Sequence, residues 1–369
     1  MKIVIVGGAR PNFVKIAPIA KKINHAQKKY GKKSITLILV HTGQHSDFSL
    51  SGSFFSQLGL PDPDYNLGVS GGGHGEQTGR ILQELEPVMI KESPDVLVVV
   101  GDVNSTLAAS ICASKLGIPV AHVESGLRSF DKTMPEEINR ILTDAISDML
   151  FVSEPSGIEN LKAEGVSPDR VFYVGNVMID SLLSNLVKVE KLNTYGDLGL
   201  ERNEYILATL HRPSNVDDGD KLKNLLLTLR DVACETKVVF PVHPRTLASA
   251  RKYGLESYLE KTENFLVVEP QSYLDFISLL QNARLALTDS GGIQEESLVL
   301  GTPCVTLREN TERPVTLASG MNMLCSIERP EILSAILKME KAERKFIPEY
   351  WDGRAADRIV DILLSKFLD

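Results

Sequence analysis

Apolar residues along this chain fall into short, nearly unbroken runs separated by longer amphipathic stretches. The runs Thr36-Leu37-Ile38-Leu39-Val40 and Val96-Leu97-Val98-Val99-Val100 do not alternate with polar positions. That is the pattern of parallel strands covered on both faces. It predicts strands at 2–6, 35–41, 95–100, 119–123, 149–152 and 171–174, then a second series at 205–210, 237–241, 265–268, 284–288 and 303–307. Helical patterns lie between them, so the βαβ arrangement occurs twice. The break falls near residues 176–203, where a helix over Met178–Lys191 leads into the polar stretch Asn193-Thr194-Tyr195-Gly196-Asp197. The predicted fold class is α/β, with two Rossmann-like doubly wound domains facing a cleft, over 1–178 and 179–353. A last helix, Arg354–Phe367, packs back on the body. Chemistry is expected just after strands, where such sheets bind ligands.

Composition narrows the picture. A chain of 369 residues exceeds what one core usually serves. Its net charge of −8 disfavours nucleic acid and anionic membranes as partners. No apolar run reaches the roughly 18 residues of a membrane span. The four cysteines, Cys112, Cys234, Cys304 and Cys325, form no CxxC pair. They read as buried thiols of a reducing compartment. With a first strand at Lys2-Ile3-Val4-Ile5-Val6 and no signal peptide ahead of it, the expectation is a cytoplasmic protein.

The most informative stretch is Leu287-Thr288-Asp289-Ser290-Gly291-Gly292-Ile293-Gln294-Glu295-Glu296-Ser297. It reads as strand, Ser-Gly-Gly turn and helix. Two glycines admit a close backbone approach, and the helix points free N–H groups at the turn, so Ser290, Gly291 and Gly292 form a cradle for phosphate. Glu296, about one turn into the helix, is placed to accept hydrogen bonds from a ribose. The bland alternative is a tight turn in any doubly wound protein.

After the first strand comes Gly7-Gly8-Ala9-Arg10-Pro11-Asn12-Phe13-Val14-Lys15. Arg10 and Lys15 bring positive charge to a helix start, which suits a phosphate or a developing anion. GxGxxG is absent, as is the Gly-Lys-Ser/Thr ending, so this start is neither a dinucleotide fingerprint nor a P-loop. Carboxylates also gather at strand ends: Asp102, Glu124 and Glu136. Asp102 also suits an N-cap, and Glu136 the first turn of a helix. At one sheet edge the three would repel one another, raising at least one pKa toward neutrality for proton transfer. The pair His41…His45 resembles a helical zinc motif, but Gly43 and the loop setting argue against metal. The second half supplies His211-Arg212-Pro213, Pro241-Val242-His243-Pro244-Arg245 and Glu312-Arg313-Pro314 after its strands. It is basic where the first half is acidic, so phosphates are expected on the second domain.

Together these motifs resemble the non-hydrolysing UDP-N-acetylglucosamine 2-epimerase family. The likeness runs nearly the whole length, in order. It includes G-x-R-P-x-x-x-K (Gly8, Arg10, Pro11, Lys15), Gly43-Gln44-His45, Gly101-Asp102, HVESGLR (122–128), PEEINR (135–140) and HRP (211–213). PVHP (241–244), EPQSYLDF (269–276), DSGGIQEE (289–296) and TERP (311–314) complete it. The resemblance implies a glycosyltransferase B-type fold, with the C-terminal helix 354–369 completing the first domain. It also implies reversible conversion of UDP-GlcNAc to UDP-ManNAc through elimination of UDP to 2-acetamidoglucal and re-addition, with no cofactor. It implies Asp102, Glu124, Glu136 and His211 as the catalytic set. Arg10, Lys15, His243, Gln271, Phe276, Ser290, Gly291, Gly292, Glu296 and Arg313 are implied as UDP-sugar contacts. Gln44 and His45, with His243, match positions associated with allosteric activation, and a homodimer is the family's expectation. Asn12 and Val315 stand where many members carry Glu. This loosens the sugar assignment toward relatives acting on UDP-2,3-diacetamido-glucuronic acid. A hydrolysing epimerase releasing ManNAc, a glycosyltransferase of the same fold and a UDP-sugar sensor are the other readings.

Overall fold

Strand β4 (Val96–Val100), the most apolar run, is buried at every position, and β1 (Lys2–Gly7) lies beside it. The computed structural model describes residues 1–31, 34–43, 55 and 57–368. The chain divides into two compact units, one comprising Met1–Ser184 with Glu349–Asp369 and the other Asn185–Pro348.

The first unit also contains β2 (Thr36–His41), β3 (Tyr65–Asn66), β5 (Val120–Ser125), β6 (Met149–Val152) and β7 (Val171–Tyr173). These seven strands form one sheet in the order β3-β2-β1-β4-β5-β6-β7, and the pairs are parallel. The second unit contains β8 (Tyr205–Thr209), β9 (Lys237–Pro241), β10 (Phe265–Val268), β11 (Leu285–Thr288), β12 (Cys304–Leu307) and β13 (Asn322–Cys325). Their order is β10-β9-β8-β11-β12-β13, again in parallel. In each sheet the winding reverses once, between β1 and β4 and between β8 and β11. Those reversals open the crevices where doubly wound sheets take ligands.

Two strands, β3 and β13, were not predicted. β3 is two residues long and β13 begins on Asn322, so neither presents an apolar run. Two further expectations are corrected: Asp102 does not cap the next helix, whose N-cap is Val103 without a side-chain bond, and Cys234, expected to be buried, is exposed.

The helix Val177–Val189 spans the division between the units. The last segment closes the first unit. The Trp351 indole donates to the Ser153 carbonyl at 2.9 Å, and Tyr173 donates to the Glu349 carbonyl at 2.7 Å. The final helix, Ala355–Phe367, begins on the carboxylate of Asp180, which accepts the N–H groups of Ala355 (3.1 Å) and Ala356 (2.7 Å). Burial pushes the Asp180 carboxyl from 3.8 up to about 6, against the pull of those two N–H groups. The folded chain therefore binds this proton more tightly than the unfolded one. The resulting penalty is fully present above about pH 6 and vanishes as pH falls toward 3.8. Asp180→Asn is accordingly expected to flatten the pH dependence of stability across that window. Urea unfolding of both proteins at several pH values reads this directly; parallel curves would contradict it.

Candidate active site

In the first unit the carboxylates sit on the ends of β4 and β5. Glu124 lies at a register shift in β5 and has φ of 71°. Left-handed backbone in a glutamate costs on the order of 1–3 kcal/mol and is kept where it re-aims a side chain. Here it turns a buried carboxylate onto the Lys15 ammonium, itself buried, and the two form an ion pair. Lys15 thus lies with the carboxylates, in the helix Arg10–Tyr30 that follows β1. Gly101, with φ of 72°, lets this cluster close. A Cβ there would stand 3.5 Å from both Asn12 Nδ2 and Lys15 Nζ and 3.9 Å from Glu124 Oε2. Asn12, the departure from the family pattern, staples the turn: its Oδ1 accepts from Ala9 N–H (2.9 Å), and its Nδ2 donates to the Val100 carbonyl (2.9 Å).

Asp102 is held by the helix Pro135–Ile146. Arg140 Nη1 meets its Oδ2 at 2.5 Å, and Asn139 Nδ2 donates to its backbone carbonyl at 2.9 Å. Glu137 in turn holds Arg140, with Nη2 to Oε2 at 2.6 Å, and accepts the N–H groups of Ser129 (2.9 Å) and Phe130 (2.8 Å). Burial would raise the Glu137 carboxyl; those N–H groups and Arg140 outweigh it and hold it below its ordinary value. Glu136, its neighbour in sequence, is half-buried in the same first turn. The expected repulsion among carboxylates is thus answered by cations: Lys15 stands at Glu124, and Arg140 stands between Asp102 and Glu137. Arg140 and Glu137 were legible only as letters of the PEEINR motif, because their partners come from elsewhere in the fold.

The second unit places His211 after β8 and the Ser-Gly-Gly turn after β11, on either side of its winding reversal. Asp289, fully buried, joins them. It accepts the backbone N–H groups of His211 (2.9 Å) and Arg212 (2.9 Å), and His211 Nδ1 lies 2.9 Å from its Oδ1. Burial opposes ionisation of Asp289, but His211 and the two N–H groups hold its carboxyl below the usual range. A carboxylate at Nδ1 fixes the ring so that Nε2 is the nitrogen left to accept or deliver a proton. Sequence reading passed over Asp289; its place directly between β11 and the turn was the available signal. His243 packs its ring against His211, with centroids 5.3 Å apart, and its Nδ1 accepts the Arg245 N–H at 3.2 Å.

Ser290 caps the helix Gly291–Leu300 by position only: its side chain makes no cap bond, and no acid stands in the first turn. This N-terminus therefore keeps its attraction for an anion. Gly291 is packed closely, since a Cβ there would lie 2.6 Å from Arg313 Nη1 and 2.8 Å from Glu312 Oε1. Arg313 is fixed between Glu312 and Glu295, the latter at 2.9 Å. Glu312 also holds Arg308 at 2.8 Å and Arg212 at 3.7 Å, so three guanidinium groups converge on one buried carboxylate beside the turn. Glu296 is buried one turn on, where burial and this carboxylate push the Tyr273 phenol well above its ordinary pKa. Gln271 and Phe276 are half-buried after β10, with Gln271 Nε2 donating to the Glu269 carbonyl at 2.7 Å. Gln44 and His45 lie outside the described residues, as does the side chain of Arg10. Among the described residues no group of three His, Cys, Asp or Glu side chains could hold a metal.

Two parallel doubly wound units, one with buried carboxylates at its strand ends and one with an anion cradle, define the glycosyltransferase B-type class. The UDP-N-acetylglucosamine 2-epimerase family model matches residues 28–364. A UDP-N-acetylglucosamine 2-epimerase homolog of Methanococcus maripaludis is 43% identical over 98% of this chain and 99% of its own. The UDP-2,3-diacetamido-2,3-dideoxy-D-glucuronate 2-epimerase of Pseudomonas aeruginosa is 42% identical, with the same coverage. The crystal structure of the Methanocaldococcus jannaschii UDP-GlcNAc 2-epimerase with UDP-GlcNAc and UDP superposes with a TM-score of 0.92. It is 42% identical, and the match covers 99% of this chain and 100% of that one. The chain belongs to the UDP-N-acetylglucosamine 2-epimerase family and is an isomerase.

Proposed function

We propose that the chain interconverts UDP-GlcNAc and UDP-ManNAc. UDP leaves as a proton is taken from C2, giving 2-acetamidoglucal, and UDP re-adds after a proton returns on the other face. The observation that carries this reading is the pairing of two kinds of site in one chain. Carboxylates Asp102 and Glu124 stand on neighbouring strand ends with fixed cations, and a helix N-terminus is backed by Arg313. Asp102, Glu124 and Glu136 supply the acid and base for C2. Ser290, Gly291, Gly292 and Arg313 stabilise the departing pyrophosphate, and His211 serves the same leaving group through Nε2. Gln271 and Phe276 hold uracil, and Glu296 the ribose. Arg10 completes the sugar-nucleotide contacts, and Gln44, His45 and His243 belong to a regulatory sugar-nucleotide site.

Proton NMR of UDP-GlcNAc with the protein in deuterated water tests this. UDP-ManNAc should form, with deuterium entering C2 and no cofactor added. Release of free ManNAc would make the enzyme hydrolysing instead. A second sugar has support of its own, since the diacetamido-glucuronate relative is 42% identical, against 43% for the Methanococcus maripaludis homolog. A larger kcat/KM for that acid would reassign the substrate.

A homodimer is part of the proposal. Ile138, Leu142 and Ile146 are 45%, 45% and 37% exposed and recur every fourth residue along one face of the helix Pro135–Ile146. That apolar face suits a second copy. Leu142→Glu is expected to give a monomer by light scattering; a monomeric native chain would end this part of the reading. A cytoplasmic setting accords with Cys112, Cys304 and Cys325, which form no disulfide and whose burial raises their thiols to about 11.

A further inference from the structure

His122, fully buried in β5, faces an acceptor at each ring nitrogen. Nε2 lies 2.8 Å from the Gly101 carbonyl, which can only accept. Nδ1 lies 2.6 Å from Asp144 Oδ1. The same carboxylate accepts the Gly126 N–H at 3.0 Å and pairs with Arg128 Nη1 at 2.7 Å, so it is held as the anion and it too only accepts. Neither neutral tautomer satisfies both contacts, and turning the ring over would put carbon against both acceptors. The ring is satisfied only when it donates at both nitrogens.

The charges around it agree. Asp144, on the helix Pro135–Ile146, also meets Arg128 Nη1 at 2.7 Å. Arg128, after β5, makes two further bonds to Glu164, with Nε and Nη2 each 2.7 Å from a carboxylate oxygen. His122, Asp144, Arg128 and Glu164 thus form a chain that alternates in sign and is neutral only with a protonated ring. On the other side of the ring, beyond the Gly101 carbonyl, stand Asp102, Lys15 and Glu124.

We propose that His122 is a positioning residue, a doubly donating imidazolium that fixes the two turns carrying Asp102 and Glu124. It grips the Gly101–Asp102 turn through the carbonyl. Through Asp144, which accepts the Gly126 N–H at 3.0 Å, it grips the turn that follows Glu124. Its charge is balanced by Asp144, so it orders the carboxylates without competing with Lys15 and Arg140 for them. A carbon skeleton of the same bulk could not hold both turns.

The inference rests on the epimerase reading for its kinetic consequence, but its central measurement does not. Two-dimensional NMR of the ring nitrogens in the intact protein should show one histidine protonated at both nitrogens. Those signals should be missing from His122→Gln. A bare nitrogen on His122 would overturn the proposal, whatever the substrate. A carboxamide donates on one side only and presents its oxygen to the other acceptor. His122→Gln is therefore expected to lower kcat about 100-fold through misplaced carboxylates, with KM within about threefold. Adding Asp144→Asn supplies a donor for that oxygen and should recover about tenfold of the loss. Unchanged kcat in His122→Gln, or no recovery in the double variant, would also overturn it. If His122→Gln does not fold, the double variant supplies the assignment. Absence of epimerisation by the native enzyme would instead count against the epimerase reading and leave the ring measurement standing.

Discussion

Glu124→Gln is expected to lower kcat by roughly 10²–10⁴-fold, the range typical of losing a positioned acid or base. UDP affinity should be unchanged, because the anion cradle lies in the other unit. Glutamine keeps the bulk of Glu124 but cannot take or return a proton. It also strips the buried Lys15 of its carboxylate, and breaking such a pair costs about 3–5 kcal/mol. The two losses are separable. Adding Lys15→Met removes the stranded charge, so the double variant should regain most of the melting temperature and none of the turnover. Asp102→Asn should match the kinetic loss with a smaller loss of stability, since Arg140 keeps Glu137 at 2.6 Å. Turnover near that of the native enzyme in either single variant would remove that residue from the mechanism.

Gly291→Ala should act mainly on the nucleotide, weakening its binding. Alanine in a helix interior is favoured over glycine by about 1 kcal/mol, and at the first helical position this offsets only part of the clash. The added methyl would lie 2.6 Å from Arg313 Nη1 and must displace the guanidinium. Losing one preorganised donor to a developing anion costs about 2.7–4 kcal/mol. Weaker UDP binding by about 10²-fold is therefore expected, with a melting temperature below the native one, because the displaced guanidinium leaves the buried Glu312 and Glu295. Calorimetric titration with UDP checks this, and native affinity would mean that Arg313 does not serve the pyrophosphate.

The fold was legible because parallel sheets bury strands on both faces, and short, valine-rich runs such as Val96–Val100 carry that pattern. The Asn322–Cys325 strand escaped because its pairing with β12 is set by the sheet, not by its own apolar content. At the site, motifs announced which segments matter but not which letter of each does what. Glu136 and Glu137 are adjacent and chemically alike, yet only Glu137 is turned inward to hold Arg140 and two backbone N–H groups. Asp102 suited a cap as well as proton transfer; its carboxylate goes to Arg140, 38 residues away in sequence. Asp289 and Asp144 were invisible as functional positions because their partners are backbone N–H groups and histidines from distant segments. The left-handed backbone of Glu124 has no sequence signature at all.

The first unit is made of two pieces of chain, Met1–Ser184 and Glu349–Asp369, with the whole second unit between them. Asp180 waits for the N–H groups of Ala355 and Ala356, and Ser153 for the Trp351 indole. On the ribosome, the second unit is therefore complete before the first. Asp102 and Glu124 lie in a sheet whose seven strands are already made, in a unit still lacking its last helix. A nascent chain stalled before Glu349 should already protect the second unit from protease while the first remains sensitive. The order of synthesis thus completes the second unit before the final helix closes the first.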